Sequence, residues 1–469
     1  MSTHVAIVGA YGSAGVVVAE ELATEPDVEL TLIDDGDPGG GLCILRGCMP
    51  SKEALSAAEH RFLARTDERL TGDLPDVDLE RVVERKDDHT GEWAGYRRDA
   101  VHALAERENV EFRHETARFL DDRRLAVGDR TVEPDYVVIA TGSEVNVPPI
   151  PGIDEVPVET SADVLDATAF PDSGIALGLG YVGLELVPYL AEAADMDLTV
   201  VEMLPGEDLL QGADERFGEE LVAYYREQFD MDVHVGATTE RVEATDDGVR
   251  AHVELADGNS TTVEAEQLYA FTGRKPALEG LTVDATSLSP AEGWVESTTQ
   301  AVDDERVFVV GDANGREPIL HVAKEEGGLA AENVLAHRDG EPLSTYDPTT
   351  HHVIFSGLGV LPFAQVGHSA STAADAGLDH HVVTAEAAND GVFKAKDAAD
   401  GLARLVVGTD GTVLGYQGLH LHADAMAKTM QLAVEMALDV RDIPDRAYHP
   451  TTPEILDNLI RGAVAELDG

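Results

Sequence analysis

Ile175-Ala176-Leu177-Gly178-Leu179-Gly180-Tyr181-Val182-Gly183 is the stretch on which the fold turns. An apolar run of strand length stops in G-x-G-x-x-G, and an apolar helical stretch follows. A strand at 198–201 then ends in Glu202, 19 residues after Gly183. This is the pattern of a β-α-β unit built around a dinucleotide. It needs a tight turn, close approach of backbone to pyrophosphate, and a helix N-terminus facing the phosphates. Glu202 suits the ribose hydroxyls of NADH and would repel the 2′-phosphate of NADPH, so NADH is the preferred nicotinamide. Met203-Leu204-Pro205 supplies no arginine to reverse that preference.

The same pattern opens the chain in altered form. Val5-Ala6-Ile7-Val8 runs into Gly9-Ala10-Tyr11-Gly12-Ser13-Ala14-Gly15, and a strand at 28–33 ends in Asp34, again 19 residues after the last glycine. Gly12 and Gly15 fit the second and third places. In that register Ala10 holds the first place, with Gly9 just before it. Either the turn tolerates Ala10 or Tyr11 is an inserted residue. Two such units about 170 residues apart form an internal repeat.

Between and beyond them the punctuation is clear. Tyr136-Val137-Val138-Ile139 is a buried strand stopping at Ala140-Thr141-Gly142, and Val307-Phe308-Val309-Val310 is another, stopping at Gly311-Asp312. Val147-Pro148-Pro149-Ile150-Pro151-Gly152 cannot continue a helix or a central strand and reads as a linker. Residues 56–109 are charged and helical in spacing, and short alternating strands fill 232–270. From about 345 the texture changes to strands (352–355, 403–407) followed by helices (423–438 and a tail from Pro453), as in an α+β domain.

The only two cysteines lie in Gly39-Gly40-Gly41-Leu42-Cys43-Ile44-Leu45-Arg46-Gly47-Cys48-Met49-Pro50-Ser51-Lys52. A metal site lacks ligands, with no second cysteine pair and no histidine at ligand spacing. An inert structural disulfide and a redox-active pair remain. Five residues of ideal helix separate two Cα atoms by about 8–9 Å, whereas a disulfide needs about 7 Å or less. Part of the 43–48 segment must therefore leave regular helix, which Gly47 makes easier. Pro50 fits the first turn of a helix beginning near Cys48, whose positive end favours a thiolate there.

This segment resembles the redox-disulfide signature of the flavin-dependent pyridine nucleotide–disulfide oxidoreductases, among them glutathione reductase, dihydrolipoamide dehydrogenase and mercuric reductase. The resemblance continues in order through the first glycine turn, Ala140-Thr141-Gly142, the second glycine turn, Gly273-Arg274-Lys275-Pro276, Gly311-Asp312 and His449-Pro450-Thr451-Thr452-Pro453-Glu454. It implies an α/β chain with two Rossmann-like domains, FAD-binding (1–152 and 286–344) and NAD(P)-binding (153–285), plus a C-terminal α+β dimerisation domain (345–469). Gly9, Gly12, Gly15 and Asp34 would hold the adenosine half of FAD, and Asp312 its ribityl or pyrophosphate region. Gly142, Gly178, Gly180, Gly183, Glu202 and Gly273 complete the cofactor-binding set. Cys48 matches the thiol nearest the flavin and Cys43 the interchange thiol that attacks substrate. Lys52 and Glu185 match an ion pair beside the flavin and nicotinamide, and Tyr181 a tyrosine covering the nicotinamide pocket. His449 and Glu454 match an acid–base dyad contributed across a two-fold interface. Thiol–disulfide exchange calls for such a dyad, since one thiolate must form and another be protonated. The remaining histidines, such as His351-His352, His380-His381, His420 and His422, read as surface or strand residues.

Departures bear on the substrate. Ala447 stands where the family commonly has a histidine. Leu42 and Ile44-Leu45-Arg46 differ from the lipoamide dehydrogenase pattern, as does Thr452-Pro453. The absence of a C-terminal cysteine pair argues against mercuric reductase chemistry.

Composition sets the surroundings. Of 469 residues 43% are hydrophobic, enough for real cores; 90 acidic against 33 basic residues give a formal charge of −57. Such a chain repels nucleic acid and anionic membranes, and its scarce lysine and dispersed acid match a halophile's cytosol. The repulsion is screened in molar salt, where the Debye length is about 3 Å. Thermal stability should therefore climb with salt; a melting temperature flat across a salt titration would refute this. With no secretory segment and no apolar run of membrane-spanning length, a cytoplasmic homodimer is expected. The leading expectation is an FAD-dependent reductase of a small thiol disulfide such as bis-γ-glutamylcystine, in the manner of glutathione reductase. The alternatives are dihydrolipoamide dehydrogenase and a flavoprotein redox sensor without turnover.

Overall fold

The structure, a computed structural model, describes residues 2–288, 300–301, 304–346 and 348–469. Parts of the expected 286–344 segment, 289–299 and 302–303, lie outside the described residues. The chain sorts into two compact units: Met1–Pro50, Arg85–Asn146 and Arg274–Pro348 in the first, Ser51–Glu84, Val147–Gly273 and Thr349–Gly469 in the second.

The first unit is built on a parallel sheet in the order Val307–Val309, Tyr136–Ile139, Thr3–Val8, Val28–Ile33, Val110–Arg113. Residues 5–8, 136–139 and 307–309 read as unbroken apolar runs because both faces are covered: Val5, Ile7 and Val138 pack into one core, Ala6, Val137 and Ile139 into another. Helix α1 (Ser13–Leu22) crosses from the first strand to its neighbour and buries Val16, Val18, Ala19 and Leu22. The cysteine segment forms a short helix, α2 (Leu42–Leu45), and then α3 (Cys48–Thr66); α4 (Leu79–Leu104) follows. Ser143–Val145 pairs antiparallel with Arg274–Pro276.

The second unit holds a second parallel sheet, in the order Asp232–His234, Asp197–Val201, Ser173–Leu177, Gln267–Ala270, Val158–Glu159. Residues 351–419 add an antiparallel five-stranded sheet. The helices Ala423–Glu435 and Glu454–Asp468 bring Met426, Met430, Leu459 and Ile460 into one core with Leu405, Val407 and Tyr416. The first of these stops short of the expected 438, because Ala437 turns to φ +47°. Beyond Pro50, α3 belongs to this unit. Ala54, Leu55, Ala58 and Phe62 share a core with Leu184 and Val187, and Arg61 and Arg65 pair with buried Glu192 at 2.6 and 2.7 Å. No helix among the described residues is long and apolar enough to cross a membrane.

One histidine departs from expectation. His420 lies neither on the surface nor in a strand; it is fully buried just past Val413–Leu419. Its Nε2 is 2.9 Å from the Tyr416 hydroxyl and its ring is edge-on to Phe393. Burial disfavours the charged ring and pushes its pKa down to about 4.

Candidate active site

In the first unit, glycine chemistry brings the two sulfurs together. Gly41 adopts φ +80° and starts α2, whose course ends at Arg46, which leaves helical geometry at φ −143°. The chain then folds back so closely that a Cβ on Gly47 would lie 3.0 Å from Leu42 O and 3.2 Å from Cys43 Cα. Glycine makes that return without crowding, and the return delivers Cys48 as the first residue of α3. Both residues are thiols here, Cys43 half-buried and Cys48 exposed. The Cys48 thiol and backbone N–H are both hydrogen-bonded to Cys43. The bond to the Cys48 side chain, with burial, pushes the Cys43 thiol up, opposed by the nearby Arg97 guanidinium. That guanidinium is half-buried and was not foreseen, since helical spacing alone does not say which face of α4 meets the cysteine segment.

The two glycine turns can be compared atom by atom. Gly9 (φ +96°) and Gly178 (φ +91°) make the turns, and Gly12 and Gly180 cap the helices that follow. A Cβ on Gly15 would lie 2.2 Å from Gly9 O, and one on Gly183 2.5 Å from Gly178 O, so both closing glycines serve close helix–strand packing. Gly9 therefore takes the first place, and the first turn carries two residues, Ala10 and Tyr11, where the second has Leu179 alone. The acids act in parallel. Asp34 accepts from Tyr11 N–H and Gly36 N–H at 2.9 Å each. Glu202 accepts from Leu179 N–H at 2.5 Å and Leu204 N–H at 2.6 Å.

Residues present in the first unit fit a flavin dinucleotide. Thr141 Oγ1 is buried without a hydrogen-bond partner among the described residues, and a Cβ on Gly142 would meet open space. Asp312 accepts from Ser143 Oγ at 2.6 Å, and Arg274 Nε donates to the same Ser143 oxygen at 2.8 Å. The turn bearing Asp312 is held from behind by Glu326, which accepts from Gly311 N–H at 2.6 Å and from Asn314 Nδ2. Burial, outweighing these bonds, pushes the Glu326 carboxyl from 4.5 up to about 7. The native state then binds more protons than the unfolded chain between those values, so this group's contribution to stability falls as pH rises through that window. Glu326→Gln should remove that dependence: its melting temperature should gain on the wild type between about pH 4.5 and pH 7. A constant difference across that range would contradict the assignment.

In the second unit Gly180 has open space where a Cβ would stand, and Gly273 (φ +86°) likewise. Tyr181, 40% exposed, begins the following helix with its ring 5.6 Å from that of His352. Lys52 Nζ lies 2.6 Å from Glu185 Oε2 and over the Phe355 ring at 4.5 Å. Ser51 Oγ and Phe355 N–H also donate to the Glu185 carboxylate. Ser51 stands in the cysteine signature without a role assigned to it there, and Phe355 carries no motif that would single it out. His449 and Glu454 do meet: Nδ1 is 3.1 Å from both carboxylate oxygens, and Thr451 N–H donates to Glu454 Oε1 at 2.9 Å. That backbone bond first, then the histidine, lowers the Glu454 carboxyl. Among the described residues no cluster of His, Cys, Asp and Glu could hold a metal ion.

Comparison with known proteins agrees with this geometry. Residues 3–327 match the family model described as pyridine nucleotide-disulphide oxidoreductase, and 352–460 match that family's dimerisation domain. A dihydrolipoyl dehydrogenase of Halobacterium salinarum is 31% identical over 96% of this chain and 94% of its own. Another, from Haloferax volcanii, is 28% identical over 99% and 97%. Among solved structures, the HOCl-induced flavoprotein disulfide reductase RclA of Escherichia coli superposes with a TM-score of 0.79. It is 23% identical, with 98% of this chain and 99% of that one covered.

Proposed function

The chain belongs to the pyridine nucleotide-disulphide oxidoreductase family, and from that premise we propose that it reduces a small thiol disulfide at Cys43 and Cys48 with electrons from NADH. Members of this family use FAD and NAD(P)H. FAD, when bound, supplies the two-electron relay between nicotinamide and disulfide. The chain's own residues do the rest. The Cys43 thiolate attacks one sulfur of the substrate disulfide, the S–S bond breaks, and the departing thiolate takes a proton from His449. The Cys48 thiolate then attacks Cys43 in the mixed disulfide, releasing the second thiol and leaving Cys43–Cys48 oxidised. Gly9, Gly12, Gly15, Asp34, Gly142 and Asp312 hold the flavin dinucleotide. Gly178, Gly180, Gly183, Glu202 and Gly273 hold the nicotinamide one, with Tyr181 over its pocket and Lys52–Glu185 beside the reacting rings. The division into FAD, NAD(P) and dimerisation domains, a cytoplasmic homodimer, and a dyad reaching the partner's site belong to the same reading.

The hydrogen-bonded cysteine pair at a helix N-terminus carries this reading. A second reading, dihydrolipoamide dehydrogenase running toward NADH, is favoured by the full-length likeness to the halophile dihydrolipoyl dehydrogenases. Steady-state assays in molar salt separate them. NADH-driven reduction of bis-γ-glutamylcystine is expected. Turnover with dihydrolipoamide and NAD alone would replace the first reading by the second. A pair that changes redox state without turning over either substrate would leave a sensor.

A further inference from the structure

The tyrosine of the longer first glycine turn does not point into solvent. Tyr11 is 4% exposed. Its ring stands where a Cβ on Gly39 would be, about 2.1 Å from the nearest ring carbon, and its hydroxyl is 2.8 Å from His102 Nε2. Phe112 packs against the ring at 5.3 Å, and Asp34 fixes the Tyr11 N–H. The Tyr11 carbonyl accepts from Arg97 Nη1 at 3.4 Å, and a Cβ on Gly41 would lie 3.2 Å from that oxygen. Tyr11 thus touches both ends of Gly39-Gly40-Gly41, the tripeptide that leads into Cys43. Helix α4 closes the other side: Arg98 Nη1 donates to Gly39 O at 2.7 Å, and a Cβ on Gly40 would be 2.8 Å from that of Ala94. Three consecutive glycines lose more backbone freedom on ordering than any other tripeptide, so a segment like this needs support from outside itself.

We propose that Tyr11 is a positioning residue for the redox pair: its ring and carbonyl hold residues 39–41, and so fix where α2 starts and where Cys43 meets Cys48. The inference rests on reading Cys43–Cys48 as the redox centre. It adds that the longer of the two glycine turns buttresses the cysteine segment.

The test uses the holoenzyme and reads the pair directly. In dithiothreitol redox buffers, Tyr11→Ala should lower the equilibrium constant for forming the Cys43–Cys48 disulfide about tenfold, because a looser segment presents the thiols to each other less often. Amide exchange across residues 39–46 should quicken by about the same factor. Tyr11→Phe, which keeps the ring, should stay close to wild type in both. Gly39→Ala should impair the wild type, whose ring occupies the space, and be tolerated alongside Tyr11→Ala. Wild-type redox equilibrium and exchange in Tyr11→Ala, or Gly39→Ala equally harmful in both backgrounds, would overturn the proposal. Exchange and the Gly39 cycle decide it even where the wild-type pair forms no disulfide, an outcome that would sink the functional reading instead.

Discussion

Cys43→Ser should reduce disulfide-dependent turnover by about a thousandfold or more while NADH oxidation by artificial electron acceptors continues. Serine preserves size but has no sulfur, so no mixed disulfide can form. The hydride-accepting half of the reaction does not pass through this residue. The geometry gives the contrast a second arm. In Cys48→Ser, Cys43 can still attack substrate, but no second thiolate remains to release it. Intact-mass measurement should find one substrate half bound to Cys43 in that variant and none in Cys43→Ser. Disulfide turnover surviving in Cys43→Ser would remove this residue from the relay. The structure also says why Cys43 needs help. Its bond to Cys48 and its burial hold the thiol up, with Arg97 only partly compensating. A sulfur so placed is a poor nucleophile near neutral pH until a base takes its proton.

That need makes His449→Ala the second large effect, a loss of about 10²–10⁴-fold in kcat/KM for the disulfide. Both Glu454 oxygens lie 3.1 Å from His449 Nδ1, which places the proton on that nitrogen and leaves Nε2 for chemistry. The His449 side chain is 80% exposed on its own protomer, as a group working across an interface would be. The pH profile should change along with the rate in His449→Ala. Glu454→Gln should cost about tenfold, because the carboxylate fixes the tautomer of the ring. Reduction by NADH should be untouched in both. A full rate with an unchanged profile in His449→Ala would take the dyad out of the mechanism.

Both expectations come from motifs legible in the chain because their demands are local. Gly9 and Gly178 sit at φ +96° and +91°, where only glycine is at ease, and Gly15 and Gly183 stand where a Cβ would strike the preceding turn. Gly47 leaves room for the return that brings Cys48 to Cys43. The acids closing the two strands bond to turns whose spacing the sequence displays. Local steric rules of this kind leave a mark in residue order, and so do unbroken apolar strands covered on both faces.

Other features had no such mark. Which glycine takes first place in the first turn could not be chosen from spacing, since Ala10 and an inserted Tyr11 satisfy the pattern equally well. The fate of the Tyr11 ring depends on Gly39, His102 and Phe112, residues 28, 91 and 101 positions away. His420 reads from the sequence as a surface or strand residue, whereas the Tyr416 hydroxyl and Phe393 enclose it. The supports of Asp312 and Glu185 (Ser143 with Arg274, and Ser51 with Phe355) likewise come from distant segments. Residue order alone marks the two nucleotide turns, the cysteine pair and the histidine–glutamate dyad, because each is a constraint between near neighbours in the chain. What holds them in place emerges from the folded chain, because it depends on which faces of distant helices and loops meet, and periodicity shows that a face is apolar without naming its partner.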